Sequence, residues 1–186
     1  MEGGRAGFLD PATQFQELYE REFTAVFRTV LAIVLEPAAA EDLTQEAFVR
    51  AYRARHRYQP TAPPGAWLHR IAVNTAISHL RRAKLARALP ARLYLPPDRR
   101  EYDQAEAKGV VDLALAALTP KLRAAVVLHY YQGFTRDEIA GMLGIPAGTV
   151  ASRIAKAMVI MRRELAASEQ PDDLGRSHSE GILRER

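Results

Sequence analysis

Residues 134–158 read FTRDEIAGMLGIPAGTVASRIAKAM, and this stretch predicts two helices joined by a tight turn. Thr135 and Glu138 have the spacing of a capping box, in which the hydroxyl accepts a hydrogen bond from one backbone N–H and the carboxylate from another. Gly144 and Pro146 mark the turn, and a new helix begins after them. A short helix, a glycine turn and a second helix together predict a helix-turn-helix.

The second helix of this pair has an apolar face and a polar, basic face. Because such a helix enters the major groove of DNA with its first turns toward the bases, we expect its polar face to contact duplex DNA. Arg153 is the foremost candidate, since arginine pairs bidentately with guanine or phosphate. The alternative is an ordinary helical hairpin within a bundle. The apolar face consists of Val150, Ile154, Ala157 or Met158, Met161 and Leu165, and the polar face of Thr149, Ser152, Arg153 and Lys156.

Apolar residues recur at helical spacing through most of the remaining chain. Proline and glycine mark the loops, most clearly in YQPTAPPG at residues 58–65. The predicted fold class is therefore all-α, with two small helical domains: a helical bundle and the helix-turn-helix domain. The predicted helices run from Phe15 to Leu35, where Pro37 ends the helix, from Ala39 to Ala54 with Phe48 or Val49 inward, from Ala66 to Ala88, and from Thr119-Pro120 to Gly133.

The domain boundaries follow from shifts in composition. Residues 89–104 begin LPARLYLPPDRREY, with three prolines, mixed charge and no helical period, which predicts a flexible linker between the two domains. The polar C-terminal segment is predicted to be disordered. The expected organisation is a tail at residues 1–12, a first domain at 13–88, the linker, a second domain at 105–166, and a tail at 167–186.

The first domain carries a one-sided charge pattern. Between Glu46 and Asp98 there is no acidic residue, although the net charge of the whole chain is only +4. Such a run makes a field that favours a polyanion, and aromatic residues among the cations allow unpaired bases to stack. The alternative is a solvated basic surface with a few core aromatics. The cations are Arg50, Arg53, Arg55, Arg57, Arg70, Arg81, Arg82, Lys84, Arg87 and Arg92, and the aromatics are Phe48, Tyr52, Tyr58, Trp67 and Tyr94.

Several classes of protein are disfavoured by composition. The absence of cysteine rules out disulfides and thiolate metal sites. Residues 1–10 lack the apolar core of a secretion signal, and the longest apolar stretch, Val30 to Leu35, is far shorter than the roughly 20 residues that span a bilayer. We therefore expect a cytoplasmic protein without membrane insertion. The five histidines lack metal-ligand spacing, and no phosphate-binding loop is present, so we expect neither a cofactor, a metal nor enzymatic activity.

Three motifs, in this order and spacing, resemble bacterial RNA polymerase sigma factors of the extracytoplasmic-function group. They are AEDLTQEAFVRAYR at residues 40–53, WLHRIAVNTAISHLRR at 67–82, and the helix-turn-helix at 134–158. The resemblance implies a region-2-like and a region-4-like helical domain. It further implies a protein that binds core RNA polymerase and recognises promoters, and many members of the family are held inactive by an anti-sigma factor.

The resemblance also implies roles for individual residues. Asp42, Gln45 and Glu46 would face the clamp coiled coil of the polymerase. The −10 element would be bound by Arg57, Tyr58, Trp67, Arg70, Asn74, Arg81 and Arg82, with the loop at 58–65 setting the identity of a captured non-template base. The −35 duplex would be contacted by Thr149, Ser152, Arg153 and Lys156. Trp67 and the pair Tyr130-Tyr131 are expected to pack in a core or on a domain surface rather than to stack on bases.

The chain departs from the family pattern at three positions. Val73 stands where arginine is frequent, Ser78 where aspartate is frequent, and Ala151 where lysine is common. These differences suggest a divergent subgroup with its own promoter preference. The main rival interpretation is a stand-alone helix-turn-helix regulator, which usually needs a dimer to span two half-sites. No dimerisation helix is evident in this sequence.

Overall fold

The computed structural model describes residues 9–88 and 109–168, and these residues contain helices but no strand. The predicted linker at residues 89–104 lies entirely outside the described residues, as does most of each predicted tail. The all-α prediction is confirmed. The helices are α1 Phe15–Val34, α2 Pro37–Ala54, α3 Pro64–Ala88, α4 Val110–Ala116, α5 Pro120–Val126, α6 Arg136–Leu143 and α7 Ala147–Ser168, with a 3-10 turn at Arg55–Arg57 and a π-helical turn at Val127–Tyr131.

Two prolines begin helices: Pro37, which was predicted to end the preceding helix, and Pro64, which was predicted to lie in a loop. Helix α1 ends at Leu35, which adopts the left-handed conformation at φ 63° and donates its N–H to Leu31 O at 2.7 Å. Pro37 is then the first residue of α2, and Pro64 is the first residue of α3. Proline is tolerated at that position because its missing N–H would have no partner within the helix. The predicted starts at Ala39 and Ala66 were therefore two residues late.

The first helical module consists of α1, α2 and α3, and each helix packs on the other two. Leu18, Val26, Ile33 and Leu68 are buried in its interior. An aromatic cluster joins α1 to α2, since Phe48 packs against Tyr19 and Phe23 at ring distances of 4.7 and 5.8 Å. Phe48 is thus the inward residue of α2, and its neighbour Val49 points outward with 47% of its surface exposed.

The second helical module consists of α4 to α7. The predicted capping box is present: Glu138 N donates to Thr135 Oγ1 at 3.3 Å, and Thr135 N donates to Glu138 Oε2 at 2.8 Å. Gly144 ends α6 in the left-handed conformation at φ 63°. Helix α4 was not predicted, although the apolar run from Val110 to Leu118 contains a signal for it.

Helices α6 and α7 meet at 105°, within the range expected for a helix-turn-helix. Among the described residues, no single helix is long and apolar enough to cross a membrane. Helices α6 and α7 are long and apolar enough only when they are counted together, and this pair is sharply bent. Val150, Ile154 and Ala157 of α7 are buried in the protein interior.

The two modules pack directly against each other. One continuous cluster of buried apolar side chains combines residues of α1 to α3 with Ala124, Leu128, Ile139 and Val150 of the second module. A smaller cluster lies within the second module, and Leu35 at the end of α1 packs against it. The structure therefore supplies the relative placement of the modules, which the sequence does not specify.

Candidate nucleic-acid interface

The polar residues predicted on α3 form one exposed stripe. Arg70, Asn74, Arg81 and Arg82 are all exposed. The spacing of the first three, about one and then two helical turns, places them on one side of the helix, and Arg82 lies next to Arg81 at the edge of this stripe. Trp67, one turn before Arg70, is half-buried at the start of the stripe. The stripe lines up donors for phosphate with a side-chain amide that can read a base edge.

The cations of the first module are largely free of internal compensation. Within the described residues, the ion pairs are Arg21 with Glu22 at 2.9 Å and Arg50 with Glu46 at 2.5 Å. In that part of the chain, no arginine between residues 53 and 82 pairs with a carboxylate. These arginines are therefore not neutralised by neighbouring carboxylates, and their positive field is available to a polyanion.

The loop before α3 is held in shape by two aromatic residues. The Tyr58 hydroxyl donates to Ala62 O at 2.5 Å, which ties the two ends of the proline-rich turn together. The Trp67 ring meets the Tyr58 ring edge-to-face at a centroid distance of 5.4 Å. Burial, followed by the charge of Asp10, raises the pKa of Tyr58, so the hydroxyl remains protonated and keeps its donor. Gln59 and Thr61 are left exposed at the tip of the loop.

Tyr52, another aromatic residue of the basic run, has structural partners, whereas Tyr94 lies outside the described residues. Arg55 lies over the Tyr52 ring at 3.7 Å from its centroid, and Phe15 meets the same ring edge-on at 5.3 Å. Arg57, at the end of the 3-10 turn, is exposed. Tyr130 and Tyr131 are more than half exposed, which excludes packing in a core, and the Tyr130 ring meets the His129 ring edge-on at 4.9 Å on the surface of the second module.

Helix α2 presents a separate, acidic stripe. Asp42 and Gln45 are exposed, and Glu46 is half-exposed and holds the ion pair with Arg50. Val49 lies on the same stripe, because it follows Asp42 by two helical turns. The sequence left Val49 and Phe48 as alternatives for the core, so this exposed apolar residue beside the acids was not foreseen.

The start of α7 carries the predicted DNA-facing residues on its solvent side. Ser152 and Lys156 are exposed, and Thr149 and Arg153 are half-exposed, while Val150 and Ile154 on the opposite side are buried. The Ser152 hydroxyl donates to Thr149 O at 3.0 Å, so its hydrogen is used within the helix while an acceptor lone pair remains. A Cβ at Gly148 would meet no atom within 4 Å, so the backbone there is open to close approach.

A cleft of about 440 Å³ lies between the two modules. One wall is formed by the 58–65 loop and by Trp67 and Arg70 of α3, and the other by Asp137, Glu138 and Met142 of α6. The α3 stripe thus begins beside two carboxylates of the second module. Among the described residues, no group of three or more His, Cys, Asp or Glu side chains could hold a metal ion.

Two family models match this chain. "Sigma-70 region 2" matches residues 18–86, which include nearly all of the first module, and "Sigma-70, region 4" matches residues 108–161, which include most of the second. The two matches follow the order in which the sequence predicted them.

Curated relatives carry the same assignment. The chain is 35% identical to the ECF RNA polymerase sigma factor SigE of Mycolicibacterium smegmatis over 159 residues, which cover 82% of this chain and 62% of that protein. It is also 35% identical to the ECF RNA polymerase sigma factor SigM of Mycobacterium tuberculosis, over 81% of this chain and 76% of that one. The match therefore spans less than two thirds of the first of these relatives and about three quarters of the second.

Solved structures share the fold. The sigma factor RpoE in complex with the anti-sigma factor NepR from Bartonella quintana superposes with a TM-score of 0.68 at 21% identity, over 82% of this chain and 97% of that one. CnrH in complex with the cytosolic domain of CnrY superposes with a TM-score of 0.60 at 25% identity, over 82% and 88%.

Proposed function

Because this chain belongs to the extracytoplasmic-function group of RNA polymerase sigma factors, we propose that it binds core RNA polymerase and directs it to specific promoters. In this proposal the second module docks the −35 duplex, and the first module captures the opened −10 strand. The observation that carries it is the presence, in one chain, of an uncompensated basic stripe on α3 and a polar, basic face at the start of α7. The protein contributes binding and no bond chemistry, and it works in the cytoplasm beside the polymerase.

For the −35 element, α7 inserts its first turns into the major groove. Arg153 and Lys156 supply the positive charge, and Thr149 and Ser152 supply short polar contacts. Gly148 allows the helix backbone to approach the DNA closely, which its open surroundings permit. Ala151 stands where the family commonly has lysine. One phosphate contact is therefore missing, and the second module by itself binds DNA less tightly.

For the −10 element, the α3 stripe follows the strand backbone through Arg70, Arg81 and Arg82, with Arg57 on the adjoining turn. Asn74 reads a base edge, and the loop held by Tyr58 and Trp67 receives the unstacked base. Unstacking costs a few kcal/mol per base, and stacking on an aromatic ring returns roughly 1–3 kcal/mol. The free chain therefore cannot hold DNA open without the polymerase.

For the polymerase, the α2 stripe supplies the docking surface. Asp42, Gln45 and Glu46 present acidic and polar groups to a basic partner, which favours correct orientation and rapid association. Val49, about one turn beyond Glu46 at the end of the stripe, adds exposed apolar area to the contact. An anti-sigma factor is a further partner that the family resemblance implies.

The proposal is tested by mixing the chain with core polymerase of its host and assaying run-off transcription on genomic fragments. We expect co-purification with the polymerase and promoter-specific transcripts, whereas the chain alone gives no stable promoter complex at physiological salt. Failure to bind the polymerase would overturn the proposal. Tight, sequence-specific binding by the isolated chain would instead identify a stand-alone helix-turn-helix regulator.

A further inference from the structure

Arg123 of α5 is buried and bonded to the ends of two other helices. It is 6% exposed. Its Nε donates to Leu115 O at 2.8 Å, in the last turn of α4, and its Nη2 to Leu118 O at 2.9 Å, just after that helix. Its Nη1 donates to Ile33 O, in the last turn of α1 and 90 residues away in sequence. One guanidinium therefore connects the second module to the first.

The chemistry of Ile33 O explains why α1 accepts this contact. A helical carbonyl normally bonds the N–H four residues later, but that residue is Pro37, which has no N–H. The carbonyl ends of helices also carry partial negative charge, which favours a cation. Arg123 satisfies the carbonyl and the charge together. Burial lowers the pKa of Arg123, and no carboxylate pairs with it among residues 9–88 and 109–168.

Other contacts hold the same pair of modules together. Gln132 Nε2 donates to Ala25 O at 3.2 Å, from the second module to α1. On α3, His69 is 2% exposed and meets the Phe134 ring of the second module edge-on at 5.3 Å. Val73, one turn further along the same side of α3, is fully buried. Opening the modules would expose these apolar surfaces and leave Ile33 O without Arg123.

The packed arrangement is incompatible with contacting both promoter elements at once. A packed chain of this length is about 40 Å across. Elements named for positions −35 and −10 are about 25 base pairs apart, which is about 85 Å of B-form DNA. The arrangement also places Asp137 and Glu138 across the cleft from Arg70 and Trp67, so two carboxylates compete with a strand for the start of the α3 stripe.

We propose that Arg123 is an intramolecular latch, which holds the free chain in a closed form that cannot span a promoter. The latch is an autoinhibitory contact, because its release separates the modules and uncovers the start of the α3 stripe. A larger partner that binds α2 and the second module more tightly in the open form than in the closed form supplies the free energy for opening. This inference rests on the proposed function for its purpose, but the closed form itself is tested without polymerase or DNA.

The first experiment measures the distance between the modules by pulsed electron paramagnetic resonance. The chain has no cysteine, so Leu85→Cys on α3 and Val159→Cys on α7 provide two label sites that are both exposed. We expect a single short-distance population in the full-length free chain. Arg123→Gln should add a second population beyond about 50 Å, which exceeds what a packed chain of this size allows. The matched control Arg162→Gln, an exposed arginine of α7, should leave the distribution unchanged.

Arg123 also bonds α4 within its own module, so the integrity of that module needs its own measurement. Labels at Lys121→Cys and Val159→Cys lie within the second module and should keep their distance in Arg123→Gln. If they do not, Pro37→Ala decides, because it leaves the second module unchanged and offers Ile33 O a backbone N–H that competes with Arg123. The latch is overturned if the intermodule distance stays short in an intact Arg123→Gln variant, or in Pro37→Ala when that variant decides.

A second readout separates the latch from the proposed function. Adding core polymerase to the labelled wild-type chain should convert the short distance into the long one. A pool of random 12-nucleotide single strands should bind Arg123→Gln several-fold more tightly than wild type, because the closed fraction no longer reduces the apparent affinity. If Arg123→Gln opens the chain but polymerase neither binds nor lengthens the distance, the proposed function fails and the latch survives. If polymerase binds but Arg123→Gln stays closed, the latch alone fails.

Discussion

The two faces proposed to bind DNA differ in whether other parts of the protein lie opposite them. The start of α7 faces solvent, and Gly148 has no side-chain neighbour that a Cβ would meet. The start of the α3 stripe forms one wall of a cleft whose other wall carries Asp137 and Glu138. In the proposed function, the first face can therefore meet duplex DNA directly, whereas the second becomes fully available only when the modules part. The difference suggests that duplex docking precedes capture of the single strand.

The largest effect is expected from disrupting polymerase binding, because the proposed DNA binding of both faces depends on it. Asp42→Lys combined with Glu46→Lys reverses the charge of the α2 stripe, and like charges across an interface cost several kcal/mol. We expect polymerase affinity to fall by about 100-fold or more, which corresponds to about 3 kcal/mol. Pull-down with core polymerase measures the change. Glu17→Lys with Glu20→Lys makes the same charge change on exposed positions of α1 and should retain binding; equal loss in both variants would refute the assignment of α2.

The next effect distinguishes the two faces from each other. Arg153→Ala should weaken holoenzyme binding to a duplex that carries only the −35 element by about 1–3 kcal/mol, as for loss of a bidentate base contact. Arg70→Ala should leave that duplex almost unaffected and should weaken binding to a −10 single strand. Fluorescence anisotropy with the two probes measures both. Identical losses on both probes would mean that the faces do not divide the work.

A pH experiment tests the packing between the modules. Burial lowers the pKa of His69 to about 4 from an ordinary value of 6.5, and its Nδ1 has no hydrogen-bond partner in the described part of the chain. The unfolded state therefore binds the proton first, and stability is lost as the pH falls through the window from about 6.5 to 4. Between pH 7.5 and pH 5 the expected loss in the free energy of unfolding is about 2 kcal/mol.

Urea denaturation at the two pH values measures this loss, with His69→Leu as the comparison. The variant should lack about 2 kcal/mol of the pH dependence, whereas His79→Leu, at a less buried position on the same helix, should keep it. An unchanged pH dependence in His69→Leu would show that His69 takes up its proton as readily in the folded state as in the unfolded state, which contradicts its burial between the modules.

The smallest expected effect is on the free energy of unfolding and concerns the capping box at the start of α6. Thr135→Ala removes the capping box of α6 and should lower the free energy of unfolding by about 1 kcal/mol. Thr61→Ala, in the exposed loop before α3, is the matched change and should have little effect on stability. Equal losses in the two variants would mean that the cap contributes nothing beyond the loss of a hydroxyl.

The sequence by itself determined the helix-turn-helix, because its capping box, glycine turn and two-faced second helix depend on residues within a few positions of one another. It also determined the basic stripe of α3, because a helix displays its charges at a fixed period. Single boundaries were missed where proline could either end or begin a helix, as at Pro37, and α4 was missed because a short apolar run has no distinctive period.

Only the tertiary structure decided which of Phe48 and Val49 is buried, because both fit the period of α2 and the aromatic cluster of α1 selects one. It alone decided that His69 and Arg123 lie between the modules. Their partners, Phe134 and Ile33, are far away along the chain, and no local pattern encodes a contact that exists only after two helical units have packed. Local hydrogen bonds and helical periodicity depend on residues that are close together in the sequence. The closed arrangement of this protein depends instead on contacts between buried residues that are far apart in the sequence.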